Sequence, residues 1–528
     1  PNPVSLFQEA SPRASLFFRR FLPRNQMGSA SLREDDSMHV SPLLALLAWV
    51  PIGLYFFYRY PIRVAVLLTF IAGWAVLPTA NFVPTDAPFP YWILSASLPA
   101  GYFVTKATIT GLTALTGVLL FDPRALRRLR LTWWDLPTTL WCAVPLLSGI
   151  ANHTSNQGAL REGLRGMLYQ LLAWGVPYLL GRLYFCDDAS LLLAAKTFVT
   201  AGLLYVPICL IELVSGPQFY THVYGFQPYR WLGAERYIGF RPVGFLEDGN
   251  QLGIWMAMVT LLAAALWRHS GFLKQSPVRR VLGLTIGQVA ITLFVVTLLC
   301  QSGGSIILLL CLLPFVLLRR ARFRRRFVIA LVLVVLCFAG FRLTNVVSLR
   351  WLVDHERPAH AVANLMVKAG RQSFGWRLEQ DERHVKTALA HPFLGWGQWN
   401  WWEGGVDRPW GLWLLAYGMY GAVGLVALEA LQLVPVIGAC WFPLARGNLA
   451  DTDLRLSLAA VLLLAAIDNL LNSGMILPLV LVIGGMSARS PAPGDVEARV
   501  EDGPGFKKRF SRSTAATDRR MASLWNRI

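Results

Sequence analysis

The sequence has little charge and lacks the motifs of soluble enzymes. Of its 528 residues, 15% are charged, whereas a soluble domain carries about a quarter. It contains no phosphate-binding P-loop, no GxGxxG in a strand–helix context and no HExxH, which argues against a soluble nucleotide-driven mechanism. Its seven cysteines show neither metal-ligand spacing nor a disulfide framework, and none lies in the two long polar segments at 215–249 and 347–408.

Long apolar runs are what the sequence has instead. Hydrophobic residues make up 55% of the chain, and runs of about 17–25 residues alternate with short basic turns. This pattern predicts an all-α, polytopic helical membrane protein with about 12–13 transmembrane helices. The net charge of +19 lies mainly in the turns and the C-terminal tail, as the positive-inside rule predicts, and no basic stripe indicates nucleic-acid binding.

The chain divides into one membrane domain and two polar tails. We expect residues 1–40 and the basic tail at 488–528 to be disordered, with the membrane domain at 41–487 between them. The polar segments 215–249 and 347–408 fall on the side opposite the arginine-rich turns, so both are predicted to be extracytoplasmic loops. A count of about 13 spans then places the N-terminus outside and the C-terminal tail in the cytoplasm.

The segment 347–408 is predicted to be a long loop that carries the function, because it is too polar to contact lipid. Arginines on the extracytoplasmic side need a reason, and a guanidinium can bind phosphate oxygens two at a time. The pattern hints at a membrane-bound substrate with a diphosphate. Internal ion pairs and anchoring at the membrane interface explain the same residues equally well. The arginines concerned are Arg236 and Arg241 in the first loop and Arg350, Arg357, Arg371, Arg377, Arg383 and Arg408 in the second.

Tryptophans are dense in the same segment, at Trp396, Trp399 and Trp402 among others. Such a cluster is typical of an aromatic belt at a membrane interface. The alternative is a platform on which sugar rings stack. The sequence leaves both interpretations open.

A general base is predicted among the loop's acids and histidines, with His391, His384, Asp407 and Glu403 as candidates. His384 and His391 are seven residues apart, whereas a zinc site needs closer ligands and a third one. No metal site is therefore predicted. Asp468 and Asn469 lie near the outer end of a predicted span, where buried polar groups serve either function or helix–helix hydrogen bonding.

Three short patterns, taken in order, resemble the O-antigen ligase and O-antigen polymerase family of bacterial membrane glycosyltransferases. The first is Arg241–Phe245 followed by Asn250–Leu252, similar to the family's Arg-x-x-Gly-Phe and Asn-x-Leu. The second is Arg377 followed by His391–Gly397, similar to an Arg and a later His-Pro-Leu-Leu-Gly-x-Gly. The third is Leu414–Gly421, similar to a Gly-x-x-Gly span.

The chain departs from the family pattern at three positions. Asp407–Arg408 stand where the family often has His-Asn, and Asp381 stands where it usually has Trp. Gly303 follows Ser302 where the family often has Ser-Arg. These departures put the base in question and leave ligase and polymerase both open.

The resemblance implies a GT-C-like membrane enzyme at the bacterial inner membrane. It would move a glycan from undecaprenyl diphosphate to a hydroxyl of a lipid or glycan acceptor at the extracytoplasmic face, with no metal and no cofactor. Arg241 and Arg377 would hold the diphosphate, with Arg236 and Arg371 as second candidates. Asp407 or His391 would take the proton of the acceptor.

Two other classes of protein remain as alternatives. A transporter or flippase for a lipid-linked or anionic solute also needs many spans and intramembrane polar groups. It would be favoured by an inverted repeat with broken spans in matching halves, which the sequence does not show. A membrane scaffold, with Arg and Trp acting only as anchors, is the third possibility, and the ordered set of motifs argues against it.

Overall fold

The computed structural model describes residues 39–79, 103–129, 131–153, 158–226, 235–272, 280–318, 320–344, 355–357, 360–361, 364, 372–402, 408–441 and 449–487. Within these residues the chain is helical almost throughout, which confirms the predicted all-α polytopic class. Five of the described helices are long and apolar enough to cross a bilayer, and four more are apolar but shorter.

The first half of the chain contains α1 (Pro42–Arg59), α2 (Ile62–Val76), α3 (Lys106–Phe121), α4 (Leu136–Ala151), α5 (Ala159–Gln170), α6 (Val176–Tyr184), α7 (Asp188–Ser215) and the short α8 (Phe219–Tyr224). Two 3₁₀ turns, Ala125–Arg128 and Trp133–Asp135, separate α3 from α4, and a π-helical turn at Leu171–Gly175 joins α5 to α6.

The second half contains α9 (Gly249–Phe272), α10 (Ile286–Leu299), α11 (Gly303–Leu317), α12 (Ala321–Thr344), α13 (Gln372–Leu389), α14 (Leu412–Trp441), α15 (Leu449–Asp468) and α16 (Leu479–Ser487). A hairpin of β1 (Arg280–Val281) and β2 (Leu284–Thr285) precedes α10, with Arg280 opposite Thr285.

The core is built around α9, the most enclosed of the apolar helices long enough to cross a bilayer. Its Trp255 is fully buried and lies 4.8 Å from Trp74 of α2 and 5.6 Å from Phe198 of α7, measured between ring centroids. A helix that is apolar on all sides is stable only when other helices surround it. The helices α7, α10, α11 and α15 accordingly pack against α9.

Ion pairs tie the helices together at one end, which we call the basic end. Arg182 of α6 pairs with Asp135 at 2.9 Å and donates to the carbonyl of Ser487, the last residue of α16. Arg455 of α15 pairs with Asp188 at the start of α7, at 2.6 Å. Arg324 donates to Ser457 Oγ of α15, and Arg268 donates to the carbonyl of Leu318, so arginine-rich turns of distant spans lie at this same end.

The opposite end, which we call the loop end, carries the two polar segments. Glu212 near the end of α7 shapes the first: its carboxylate accepts the backbone N–H groups of Val243 and Gly244, at 2.8 and 2.6 Å. Gly244 has φ +61°, and a Cβ there would meet the ring of Tyr205 at 2.7 Å. The Arg-Pro-Val-Gly-Phe pattern is therefore a turn held against α7, with Arg241 at its start.

The sequence predicted a loop throughout the second polar segment, and the structure differs from this prediction. Its residues 372–389 form α13, an amphipathic helix of 18 residues that packs on α14. Leu378, Asp381, Val385 and Ala388 lie three or four residues apart and are all buried, so one helical face points into the protein.

After α13, the run His391–Gly397 docks on a break in α14. The N–H of Trp396 donates to the carbonyl of Gly418 at 2.9 Å, and the N–H of Ala422 donates to the carbonyl of Pro392 at 2.8 Å. Gly421 interrupts α14 with φ +63° and ψ −160°, a conformation open essentially to glycine alone. Two of the three family-like patterns thus pack against each other.

Candidate functional site

Two arginines, one from each polar segment, lie together at the loop end. Arg241 donates from Nη2 to Asn250 Oδ1 at 2.6 Å and to Ser302 Oγ at 3.1 Å. Arg377 of α13 donates from Nη1 to Oδ1 of Asn472, in the turn after α15. A small cleft is lined by Asn250 and Asn472, the acceptors of both guanidinium groups. The structure therefore brings Arg241 and Arg377 to one place, although they are far apart in the chain.

The two guanidinium groups retain unused donors. Nε of Arg241 and Nε of Arg377 are buried and have no hydrogen-bond acceptor within the part of the chain that the structure describes. A buried donor without an acceptor is unfavourable by about 1–3 kcal/mol, and more when it is charged. An anion bound at this point would relieve that penalty at both arginines.

Charges of both signs lie around Arg241. Burial, followed by the charges of Arg236 and Arg377, lowers its pKa to about 10, while Asp248 opposes the shift. The guanidinium still remains protonated at neutral pH. Because neighbouring cations repel it, a bound anion would stabilise the cluster electrostatically as well as through hydrogen bonds.

Trp410 forms a wall of the cleft between two cations. The guanidinium carbon of Arg408 lies 4.4 Å from the centroid of its ring, and that of Arg377 lies 5.2 Å away. Cation–π contacts of this kind contribute about 0.5–2 kcal/mol each. Arg408 also donates to Ser473 Oγ at 3.3 Å, so this wall is joined to the turn after α15.

Asp381 of α13 fixes the backbone that carries Trp410. Its carboxylate accepts the N–H of Trp410 at 2.6 Å and the N–H of Gly411 at 3.1 Å. Burial raises the pKa of Asp381 to about 6, although the two backbone bonds and the charges of Arg342 and Arg408 act in the opposite direction. Asp381 stands where the family usually has Trp, and here it fastens α13 to the start of α14.

The other predicted site residues have different surroundings. Arg236 is exposed, and it lies close enough to Arg241 for its positive charge to lower the pKa of Arg241. Arg371 and Asp407 lie outside the described residues. His391 lies beyond the end of α13, with its ring 4.0 Å from that of Trp396, and is therefore about 18 Å or more along the helix axis from Arg377. Its role in catalysis stays a prediction.

The predicted stacking tryptophans belong to the packing between α13 and α14. Trp399 is 3% exposed and offers almost no surface to a ligand. Trp402 is half-buried and packs edge-on against Trp399 at 5.2 Å. Trp396 is half-buried and donates from Nε1 to the carbonyl of Thr387. Only Trp396 and Trp402 of the three retain surface for a sugar ring.

Several residues at the cleft were not singled out as site residues from the sequence. Asn250 and Ser302 occur inside or beside motifs that were noted, but nothing in the sequence shows that both accept from Arg241. Asn472 lies in an Asp-Asn-Leu-Leu-Asn run, and two asparagines and an aspartate at the end of a span were its only signal.

No group of three or more His, Cys, Asp or Glu suited to hold a metal ion occurs among the described residues. A larger cleft, of about 560 Å³, opens beside Trp133 and Asp135 at the basic end. Its lining is mostly apolar, and none of the described residues that line it is basic. The arginine cleft at the loop end is therefore the better candidate for anionic chemistry.

Comparison with known proteins supports the same region. Residues 288–425 match a protein-family model described as O-antigen ligase. This match confirms the family resemblance predicted from the motifs, and it covers Arg377, the run His391–Gly397 and the run Leu414–Gly421. No curated protein and no solved structure matches the chain.

The family match supports a membrane-spanning enzyme of the O-antigen ligase type that transfers a glycan, and it gives no support to a transporter or flippase. An enzyme of that type acts on a lipid-linked glycan and an acceptor within a membrane.

Proposed function

We propose that this protein transfers a glycan from undecaprenyl diphosphate to an acceptor hydroxyl, and that Arg241 and Arg377 hold the diphosphate. The observation that carries the proposal is that Arg241 and Arg377 donate to Asn250 and Asn472, which line one small cleft, and that each arginine has a buried Nε without an acceptor among the described residues. Ligation to a lipid or glycan and polymerisation of repeats would both use this arrangement.

The chemistry needs positive charge at the leaving group. The acceptor oxygen attacks the anomeric carbon, the bond from that carbon to the phosphate oxygen breaks, and its electron pair stays on the diphosphate. Arginine donors that are already in position stabilise the growing negative charge without reorganisation. Arg236 and the loop residue Arg371 are further candidates for the same anion. We propose that the reaction proceeds without a metal ion, because the guanidinium groups supply the charge that a metal would otherwise provide.

The remaining roles rest on the sequence. The resemblance offers Asp407 and His391 as candidates for the group that takes the proton of the acceptor. The density of tryptophans suggests that Trp396, Trp399 and Trp402 stack on the glycan. Because Trp399 is buried, Trp396 and Trp402 are the better candidates for stacking on the glycan.

We place the cleft at the extracytoplasmic face of the bacterial inner membrane. The arginine-rich turns gather at the basic end, and such turns stay in the cytoplasm. The cleft lies at the other end of the same helices. The donor would therefore meet the enzyme with its lipid in the outer leaflet and its diphosphate at the level of Trp410.

The test is a transfer assay with purified protein in detergent, undecaprenyl-diphosphate-linked glycan and added EDTA. We expect the wild type to release undecaprenyl diphosphate, and Arg241→Ala and Arg377→Ala to lower the rate by about 10²–10³. Arg383→Ala is the matched control, because Arg383 lies on α13 with Arg377 but is exposed and pairs only with Glu379.

Size-exclusion chromatography shows whether each variant is monodisperse. Folded Arg241 and Arg377 variants that keep the rate of the Arg383 control would contradict the proposed clamp. A folded wild type that consumes no donor with a range of acceptors would contradict glycan transfer itself. A wild type inactivated by EDTA would contradict the metal-free reaction.

A further inference from the structure

Three carboxylates line the arginine cleft, and two of them are occupied. Glu247 pairs with Lys106 at 3.5 Å, with both side chains buried. Asp248 accepts the N–H of Gln251 on Oδ1 at 2.7 Å and the side-chain amide of Asn250 on Oδ2 at 3.3 Å, and so caps the start of α9. Glu247 is thus committed to an ion pair with Lys106, and both carboxylate oxygens of Asp248 accept hydrogen bonds within the protein.

Asp468, the third, is placed differently. It is the last residue of α15, is only 6% exposed and lines the cleft. Its Oδ1 accepts one hydrogen bond, from Asn472 Nδ2 at 2.7 Å. Its Oδ2 has no hydrogen-bond donor and no ion-pair partner among the residues that the structure describes. Because Asp468 lines the cleft, this oxygen is left as an acceptor for a group bound there.

Asn472 connects this carboxylate to the diphosphate clamp. Its amide oxygen accepts from Arg377, and its amide nitrogen donates to Asp468. The two bonds fix the orientation of the amide, because reversing it would place a donor against Arg377 and an acceptor against Asp468. The side chain of Asp468 is thus held at a set position relative to the group that binds the leaving diphosphate.

We propose, on the basis of the proposed function, that Asp468 is the general base that removes the proton of the acceptor hydroxyl. In the transfer step the O–H bond breaks and its proton goes to Asp468 Oδ2, while the freed electron pair of the oxygen forms the bond to the anomeric carbon. The bond from that carbon to the diphosphate oxygen breaks at the same time, and its electrons remain on the diphosphate at Arg241 and Arg377. Atoms and charge balance without any other reactant.

The placement of Asp468 favours it over His391. A base must lie within about 2.6–3.2 Å of the proton that it removes, in the same cleft as the leaving-group clamp. His391 instead packs on Trp396, past the far end of α13. Asp407 lies next to Arg408 in the chain and outside the described residues, so the experiment must distinguish it from Asp468.

The test compares two nucleophiles. Asp468→Asn keeps the size of the side chain and an acceptor for Asn472 but removes the base. We expect it to lower transfer to a hydroxyl acceptor by about 10²–10⁴. With sodium azide as the nucleophile, which has no proton to lose, we expect release of undecaprenyl diphosphate within about 10-fold of the wild-type rate with azide. Binding of undecaprenyl diphosphate should change by less than about threefold.

Controls separate this proposal from the clamp. Arg377→Ala should lose rate with both nucleophiles, since it acts on the leaving group, and Glu379→Gln, an exposed acid on the same helix, should behave as the wild type. If the wild type and Asp468→Asn are both active, the assignment of Asp468 as the general base is wrong and the proposed function still holds. An inactive wild type would overturn the proposed function, and the base with it.

Two further outcomes are decisive. If Asp407→Asn loses transfer activity that azide restores, and Asp468→Asn loses none, then Asp407 is the base and the proposal is overturned.

If Asp468→Asn fails to fold, Asp468→Glu takes its place, because it keeps a carboxylate displaced by one methylene. We expect a loss of rate with hydroxyl acceptors that azide restores, and an equal loss with both nucleophiles would overturn the proposal.

Discussion

The break in α14 offers the sharpest test of the fold, through the substitution Gly421→Ala. Gly421 has φ +63°, and a Cβ built there would lie 2.3 Å from the carbonyl carbon and oxygen of Phe393. Both obstacles are backbone atoms, which cannot rotate away as a flexible side chain could. The substitution must therefore strain α14 or push the segment that starts at His391 away from it.

The size of the effect follows from the contacts. An alanine in this conformation is strained by about 1–3 kcal/mol. Moving Phe393 to an ordinary contact of 3.4 Å requires a shift of about 1 Å. Such a shift would disrupt the bonds from Ala422 N–H to Pro392 and from Val423 N–H to Phe393, at 2.8 and 3.2 Å. Each bond contributes about 0.5–1.5 kcal/mol, so the total loss is about 2–6 kcal/mol.

Thermal unfolding in detergent, followed by size exclusion or tryptophan fluorescence, measures the loss. We expect the melting temperature of Gly421→Ala to fall by about 5 °C or more. Gly438→Ala is the matched control on the same helix, because no atom lies within 4 Å of its Cβ position. Alanine should stabilise α14 there by about 0.5–1 kcal/mol. A melting temperature for Gly421→Ala equal to that of Gly438→Ala would refute the reasoning.

Two further predictions concern the wall of the cleft. Burial raises the pKa of Asp381 to about 6 from an ordinary 3.8. The neutral carboxyl therefore contributes about 3 kcal/mol to the free energy of unfolding. This contribution is fully present below about pH 4 and is lost as the pH rises through 6. The melting temperature of the wild type should therefore gain more between pH 7.5 and pH 5 than that of Asp381→Asn, and equal gains would contradict the assignment. Trp410→Ala removes the ring beneath Arg377 and Arg408 and should raise the KM for the donor by about 10-fold. Trp410→Phe keeps an aromatic face, so its KM should stay within about threefold of the wild-type value. Equal KM values for the two variants would show that the ring contacts do not contribute to donor binding.

Hydropathy was enough to predict the class of fold. Apolar runs of the length of a bilayer leave little choice but helices, and the arginine-rich turns do gather at one end of the molecule. The helix α13 was missed because its charged residues dominate the composition. Its signal lies in the spacing of Leu378, Asp381, Val385 and Ala388, and one of these four positions is an acid, which conceals the apolar face.

The candidate site could be predicted in part. Arginine on the loop side contradicts the charge rule and fits a phosphate, which pointed to the arginines of both segments as a group. The resemblance to the family then singled out Arg241 and Arg377 among them. Their acceptors could not be found in the same way, because Ser302 and Asn472 meet the arginines only through the packing of distant helices. The same limit applies to His391, whose motif is explained by the docking of a backbone turn on α14 and not by any contact with the arginines.

The bond between Arg377 and Asn472 also has a consequence for how the protein is made. The two residues are 95 positions apart, and α14 and α15 both lie between them. At a synthesis rate of about 5–20 residues per second, Arg377 leaves the ribosome about 5–20 s before its acceptor does. During that interval the nascent chain already has both arginines but lacks one wall of the cleft and the carboxylate of Asp468. Activity is therefore expected to begin only once α15 and α16 have been inserted into the membrane. A chain that stalls earlier in the translocon would occupy the membrane without consuming donor.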